Sequence, residues 1–331
     1  MTQMNDERRV AFRLRDDRLP FPALQELARL AEERGYETIF TPEGGGREVF
    51  TVLAAYAMAT ERVRLSPGIA SIFTRTPGVL ASEAVTLDEL SGGRAILGLG
   101  TGHEGSLSAG HGMTFERPLG RMRDYVLLTK AMLRGDETLP DTKVVPIRRF
   151  RLATQPRPNL PVYVAALGPK MCQLAGEVAD GVILNWATTA YAREAVANVH
   201  AGAKRAGRDP ASVDISMYLR VAPGNADEGT RRALARDLAS YAAMPFYRAM
   251  LDAEGFASAT SKVAATFASD PEAAARAIPD DMVDALTAVG SADVRARVEE
   301  YRAIGVTLPV LAPLTTRADT FESWQAAIEL L

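Results

Sequence analysis

Short apolar runs alternate along this chain with longer stretches whose apolar residues recur every three or four positions. Runs of the first kind, bounded by Gly or Pro, read as strands buried on both faces, and the longer stretches read as amphipathic helices. The first strand is RRVAFRLR, residues 8–15. The helix after it opens near Pro20 and Pro22, carries Leu24, Leu27, Ala28 and Ala31 on one face, and stops at Gly35. Strands are expected at 37–43, 63–70 and 94–101, with helices at about 48–60 and 77–90 between them. A Gly- and Ser-bearing loop then leads to a helix at about 118–134. Next comes a proline-marked excursion over 137–160, with a hairpin expected at TKVVPIRRFRL, 142–152. Strands at 161–167, 181–186, 214–223 and 306–313 complete the set, with helices at 169–179, about 189–207 and about 320–330.

Eight strands alternating with helices predict an α/β fold, a (β/α)8 barrel, with an open doubly wound sheet as the alternative. A barrel of this kind takes roughly 250 residues, so the 331 present are expected to form a single domain, 1–331, with additions. The main addition is an Ala-rich helical insertion at about 224–290, between strands seven and eight. It lies on the strand-to-helix side, where barrels hold their chemistry. It reads equally as a substrate lid or as helices serving structure or assembly.

Composition narrows the function classes. The chain is 47% hydrophobic and 24% charged with a net charge of −3, and no basic stripe marks it for nucleic acid. The single cysteine, Cys172, excludes an internal disulfide and reads as a packed, inert thiol on a helix. The N-terminal segment has no secretory apolar stretch, and no apolar run is long enough for a bilayer. A cytoplasmic protein with no membrane partner is expected.

In a barrel the informative residues follow each strand. Strand two ends in TPEGGGRE, where Glu43 either faces the pocket or caps a turn. Strand four ends in GLGTGHEGSLSAGHG. A dinucleotide-binding glycine fingerprint is excluded there, since it needs a helix at once and an acidic residue at the next strand's end. The same stretch gathers Thr101, His103, Glu104, Ser106, Ser108 and His111, including two of the chain's three histidines, which points to a pocket lining. No third ligand stands at zinc spacing, so no metal is expected. After strand five, AALGPK runs small residues straight into a helix, with Lys170 beside its positive end; this reads as a plain turn or as a phosphate site.

The run GYETIFTPEGGGREVFTVLAAYAMATERVRLSPGIASIFTRTPGVLASEAVTLDELSGGRAILGLGTG resembles the first half of luciferase-like proteins, in particular their branch that uses the deazaflavin coenzyme F420. RPLGRMRDYVLLTKAML, PVYVAALGPKMCQLAGEVADGVILNW and GSADVRARVEEYRAIGVTLPVLAP extend the likeness over most of the chain outside the insertion. The resemblance implies a non-proline cis peptide at Gly68–Ile69 behind the ring, with Ala70 and Ser71 continuing the ring wall. Glu43 stands where relatives have an acid near the ring, and Thr101 and Gly102 match residues beside the cofactor. Ala166, Leu167, Gly168 and Pro169 match the loop that holds its phosphate, which tips the AALGPK turn toward phosphate.

The resemblance further implies an oxidoreductase moving a hydride between C5 of F420 and a small organic substrate, with His103 or Glu104 as acid/base. It also implies a homodimer. Departures from sugar-phosphate dehydrogenases, Gly44 in place of His and His103 in place of Glu, point away from that substrate. GHGM without a preceding aromatic residue departs from the pattern at His111. The alternatives are an FMN-dependent monooxygenase on the same fold and a non-catalytic F420-binding protein.

Overall fold

The computed structural model describes residues 9–157, 159–314 and 320–331. The elements are β1 (Ala11–Arg13), α1 (Phe21–Glu33), β2 (Thr38–Thr41), α2 (Val49–Ala57), β3 (Arg64–Pro67), β4 (Ala70–Ser71), α3 (Pro77–Leu90) and β5 (Leu97–Gly100). Then follow α4 (Glu104–His111), α5 (Pro118–Arg134), β6 (Val162–Ala165), α6 (Pro169–Val178), β7 (Gly181–Asn185), α7 (Thr189–Arg205) and β8 (Asp214–Ala222). The last part holds α8 (Glu228–Ala242), α9 (Pro245–Leu251), α10 (Ala257–Thr266), α11 (Pro271–Arg276), α12 (Asp280–Leu286), β9 (Thr287–Val289), α13 (Gly290–Ala303), β10 (Leu308–Pro313) and α14 (Thr320–Ile328).

All the strand pairings are parallel, in the order β3-β2-β1-β10-β8-β7-β6-β5-β4, with β9 added beside β8. A parallel bridge between Leu65 and Ala95 joins β3 to the start of β5, so the sheet closes on itself. Leu65 N–H donates to Arg94 O and Ile96 N–H to Leu65 O there. The expected barrel is present, and the dinucleotide-type open sheet is not.

Side chains alternate across each stave as the pleat requires. Phe12, Ile39, Leu65, Val182 and Leu219 face the helices and join one large apolar core. Ala11, Phe40, Ile96, Tyr163, Ile183, Tyr218 and Val310 fill the lumen instead. A third cluster forms within α8–α12 and reaches back to Trp186 and Ala222 at the strand ends.

The floor of the barrel is polar. Arg9 forks between Glu37 and Asp214, with Nε 2.6 Å from Glu37 Oε2 and Nη2 2.7 Å from Asp214 Oδ2. Tyr163 and Thr307 hydroxyls also donate to Asp214. Burial pushes the Asp214 carboxyl up, but the Arg9 hydrogen bond and charge outweigh it and hold the group below the usual range. This is the N-terminal face, where a barrel keeps stability rather than chemistry.

Three details differ from the sequence expectation, each for a local reason. The third stave is not continuous over 63–70: the chain breaks after Pro67 and resumes at Ala70. The loop after β5 contains a helix, α4, bracketed by Gly102 and Gly112 at φ values of 68° and 61°. Its glycines and serines disguised it, since they are poor helix formers and only Leu107 is buried. No hairpin forms within 142–152. The Asp124 carboxylate instead accepts from the Val144 and Val145 amides, and Val145, Ile147, Phe150 and Leu152 rest on the core. Pro146 also removes one donor that a ladder there would need. Arg8 of the predicted first strand lies outside the described residues.

The two inward glycines of β5 account for the GLG pattern, which the sequence reading separates from a dinucleotide-binding fingerprint. A Cβ at Gly98 would stand 2.1 Å from Pro67 O, and one at Gly100 would stand 2.2 Å from the Ile69 side chain. Gly98→Ala is therefore expected to destabilise by about 1–3 kcal/mol or more, because backbone is what it meets. Thermal unfolding against Gly105→Ala, where a Cβ meets nothing within 4 Å, checks this; the Gly105 variant should not fall below the parent.

Candidate active site

The break in the third stave creates the site's back wall. The Gly68–Ile69 peptide is cis, as the sequence resemblance anticipates. Ile69 packs against the lumen residues and needs the bare face of Gly100. Gly68 is bare for a matching reason, since a Cβ there would meet the Tyr218 hydroxyl at 2.1 Å. That hydroxyl donates to Gly68 O at 3.4 Å, and the Tyr218 ring stands edge-on to Phe40 at 5.9 Å. Ala70 and Ser71 continue the wall as fully or almost fully buried residues paired with Leu99 and Gly100.

Glu43 does not project freely. Its Oε2 accepts from the Ser71 amide at 2.9 Å and its Oε1 from Arg75 Nη1. Arg75 also reaches Glu48 and Glu83, at 2.9 and 3.1 Å. One guanidinium thus ties β2, α2 and α3 to the wall. Glu48 in turn caps α2 by accepting from the Phe50 and Thr51 amides. The sequence reading left Glu43 open between pocket lining and turn capping; the structure makes it an anchor for Ser71.

After β5, Thr101 is half-buried and Gly102 carries the turn into α4. His103 caps that helix from an extended conformation. Its ring lies 6.2 Å from Tyr241 and 6.0 Å from Tyr247, both on the helices after β8. The residue stays accessible, yet protein surrounds it enough that burial lowers its pKa below the ordinary histidine value. Glu104 is exposed in the first turn of α4, and among the described residues its carboxylate makes no hydrogen bond or ion pair. His111 ends the same helix, about 12 Å from His103 along the axis. The two histidines therefore do not converge.

After β6, Ala166 N–H donates to Ile183 O, and Leu167 O accepts from the Tyr191 hydroxyl. Gly168 caps α6, Pro169 occupies the first helical position, and no side chain caps the end. Among the described residues the amides of Gly168 and Lys170 have no acceptor. Free amides at a helix start attract a phosphate oxygen. Cys172, one turn further, is buried with its thiol pushed up to about 12 by desolvation, so it is inert as expected.

Several residues in the mouth escaped the sequence reading. Arg13 and Arg220 stand at inward positions of β1 and β8, two residues beyond Ala11 and Tyr218. Arg220 stacks over Trp186 at 4.5 Å and over Tyr241 at 5.5 Å, and its Nε donates to Asp237 at 3.2 Å. Trp186 itself has a left-handed φ of 51° and a buried, unpartnered Nε1. The signal was available: an arginine at inward parity inside AFRL or MYLRVA has no reason to be there unless the strand end faces a polar site.

A parallel barrel whose third stave yields to a cis bulge, with its polar residues gathered at the strand ends, defines the class. The chain belongs to the luciferase-like monooxygenase family, whose model matches residues 8–308. It is 31% identical to a 5,10-methylenetetrahydromethanopterin reductase of Methanolobus tindarius, over 87% of this chain and 89% of that one. It is 30% identical to a Mycobacterium tuberculosis protein provisionally named a coenzyme F420-dependent oxidoreductase, over 86% and 89% of the two chains. The structure of the coenzyme F420-dependent tetrahydromethanopterin reductase of Methanopyrus kandleri superimposes with a TM-score of 0.81, at 24% identity and 98% coverage of both chains.

The Arg75 cluster yields a pH-dependent prediction. Arg75→Met leaves Glu43, Glu48 and Glu83 together without their cation. Glu83 is already raised by burial, and losing Arg75 raises it further. A carboxylate whose folded pKa exceeds its unfolded value loses stabilisation as pH rises through it. The variant should be about 2 kcal/mol less stable at pH 8, allowing for the partial exposure of the acids. Its melting deficit should shrink toward pH 5, as measured by unfolding scans across that range.

Proposed function

We propose that this chain is an F420-dependent oxidoreductase that transfers a hydride between the coenzyme and a small organic substrate in the barrel mouth. The observation that carries the reading is the back wall, where Gly68–Ile69 is seated between Gly100 and Tyr218. The donors present suit the coenzyme. Free amides at Gly168 and Lys170 fit a phosphate, and the wall of Gly68, Ile69, Ala70 and Ser71 offers one side to a ring. When bound, F420 supplies a two-electron hydride carrier that reacts poorly with oxygen.

The remaining work falls to side chains. Glu43 holds the Ser71 amide and so fixes the wall. Thr101 and Gly102 border the ring space, and Ala166, Leu167, Gly168 and Pro169 set the phosphate end. His103 faces the mouth among tyrosines and is the better placed acid/base group; Glu104, exposed on α4, is the second candidate. With its pKa lowered, His103 is neutral at pH 7 and stands ready to accept a proton from substrate. The same reading takes a homodimer as the assembly, the cytoplasm as the place of action, and neither nucleic acid nor membrane as partner. Among the described residues no helix is long and apolar enough to cross a membrane.

Titrating the purified chain with F420 and FMN side by side tests the reading. F420 should bind at least about tenfold more tightly than FMN; a tighter FMN complex, yellow on purification, would overturn it in favour of a monooxygenase. His103→Ala should lower kcat by about 10²–10⁴-fold while F420 affinity stays within about twofold. The parent's oxidation rate should fall on acidification only below the ordinary histidine range, because burial lowers the His103 pKa, and this acid limb should vanish in the variant. Tight F420 binding without any turnover, unchanged by His103→Ala, would instead favour the non-catalytic alternative.

A further inference from the structure

We propose that Arg13 and Arg220 form an anion subsite in the barrel mouth, and that the substrate is an organic acid whose carboxylate or phosphoryl head binds between them. The inference rests on the oxidoreductase reading for the word substrate, but the subsite itself is argued from charge and geometry.

β1 and β8 flank β10, with Ala11 paired to Val310 and Ala312 paired to Arg220. Arg13, two residues after Ala11, comes level with Ala312 on the opposite side. The stave between the two arginines therefore presents only a methyl group inward, and both guanidiniums enter the space above it. They are close enough that, after burial itself, the charge of Arg220 is the largest influence depressing the basicity of Arg13.

Among the described residues, Asp237 is the carboxylate that bears on both of these cations. Asp237 is committed to Arg220 Nε. Arg220 is 5% exposed, and its Nη1 is buried with no partner. Arg13 is half-buried and, among the described residues, makes no hydrogen bond or ion pair. Buried guanidiniums are ordinarily paired with acids or carbonyls. One net positive charge and a set of unused N–H donors thus remain above the lumen.

The position suits a substrate rather than a structural ion. Tyr218, whose hydroxyl touches Gly68 of the back wall, lies one inward step below Arg220 on the same strand. Trp186 and Tyr241 stack on Arg220 and leave it a fixed plane, the geometry that favours bidentate recognition of a carboxylate or phosphoryl group. His103, the proposed acid/base group, reaches the same Tyr241. An acid gripped here would hold its body between the aromatic residues and the wall.

Calorimetric titration with benzoate, phenyl phosphate and neutral benzamide tests this, using the chain with and without F420. At least one of the two anions should bind about tenfold or more tightly than benzamide. A preference for benzoate assigns the head as a carboxylate, and a preference for phenyl phosphate assigns it as a phosphoryl group; either supports the subsite. Arg13→Met should lose about tenfold in anion affinity, Arg13→Lys should lose less, and F420 affinity should stay within about threefold in both. The proposal is overturned if neither anion outbinds benzamide, or if Arg13→Met binds anions as the parent does. It is also overturned if anion and F420 affinities fall together in Arg13→Met, which would make Arg13 a cofactor ligand. Should Arg13→Met fail to fold, the parent's contrast between anion and amide and the Arg13→Lys chain decide the matter. Anion binding intact in a chain that takes no F420 would sink the cofactor reading and leave the subsite standing.

Discussion

The steric constraint on which barrel and site both depend is the contact between the broken third stave and the bare face of β5. Pro67 O occupies the place of a side chain at Gly98, and Ile69 does so at Gly100. The barrel closes by the Leu65–Ala95 bridge just below, so β3 and β5 must approach there for the sheet to be continuous. Were either glycine to carry a side chain, the staves would have to part or the bulge would have to move. The bulge in turn determines where Tyr218 can reach, and Tyr218 separates the apolar lumen from the charged mouth. Fold closure and site geometry thus depend on the same few ångströms.

Much of this was legible in the sequence, and what was not failed for identifiable reasons. Buried parallel strands read clearly because VYVA, GVIL and LPVLAP are apolar on both faces, and the first helix was framed by Pro20 and Pro22 at its start and Gly35 at its end. The third stave was drawn too long, because its interruption comes from the fit of Gly68 and Ile69 to distant residues and not from any local propensity. The resemblance to relatives supplied the cis peptide, which periodicity cannot. α4 was hidden by its composition, and the segment at 137–160 by the fact that a single buried carboxylate, Asp124, does the work expected of a hairpin ladder.

For the site, the sequence located the rim but weighed its residues unevenly. The conspicuous cluster after β5 divides on inspection: His103 turns toward the tyrosines, while Glu104 and His111 stay at the surface of α4. Glu43 was noticed as an acid in a glycine turn, but its partner Arg75 lies 32 positions away and only the fold brings them together. The two mouth arginines were passed over as ordinary members of strands. Their meaning depends on inward parity at matching heights on two staves separated by β10, which is a property of register.

The mouth is assembled from two kinds of material. The wall, the Gly168 turn and both arginines belong to staves or to turns directly after them, whereas Asp237, Tyr241 and Tyr247 come from the helices between β8 and β10. The counter-charge and the aromatic lining are therefore carried on a segment that contributes nothing to barrel closure. Substitutions there can reshape the mouth around the two arginines without disturbing the steric fit at β3 and β5. A lineage of such proteins would be free to change its diet while keeping its hydride carrier.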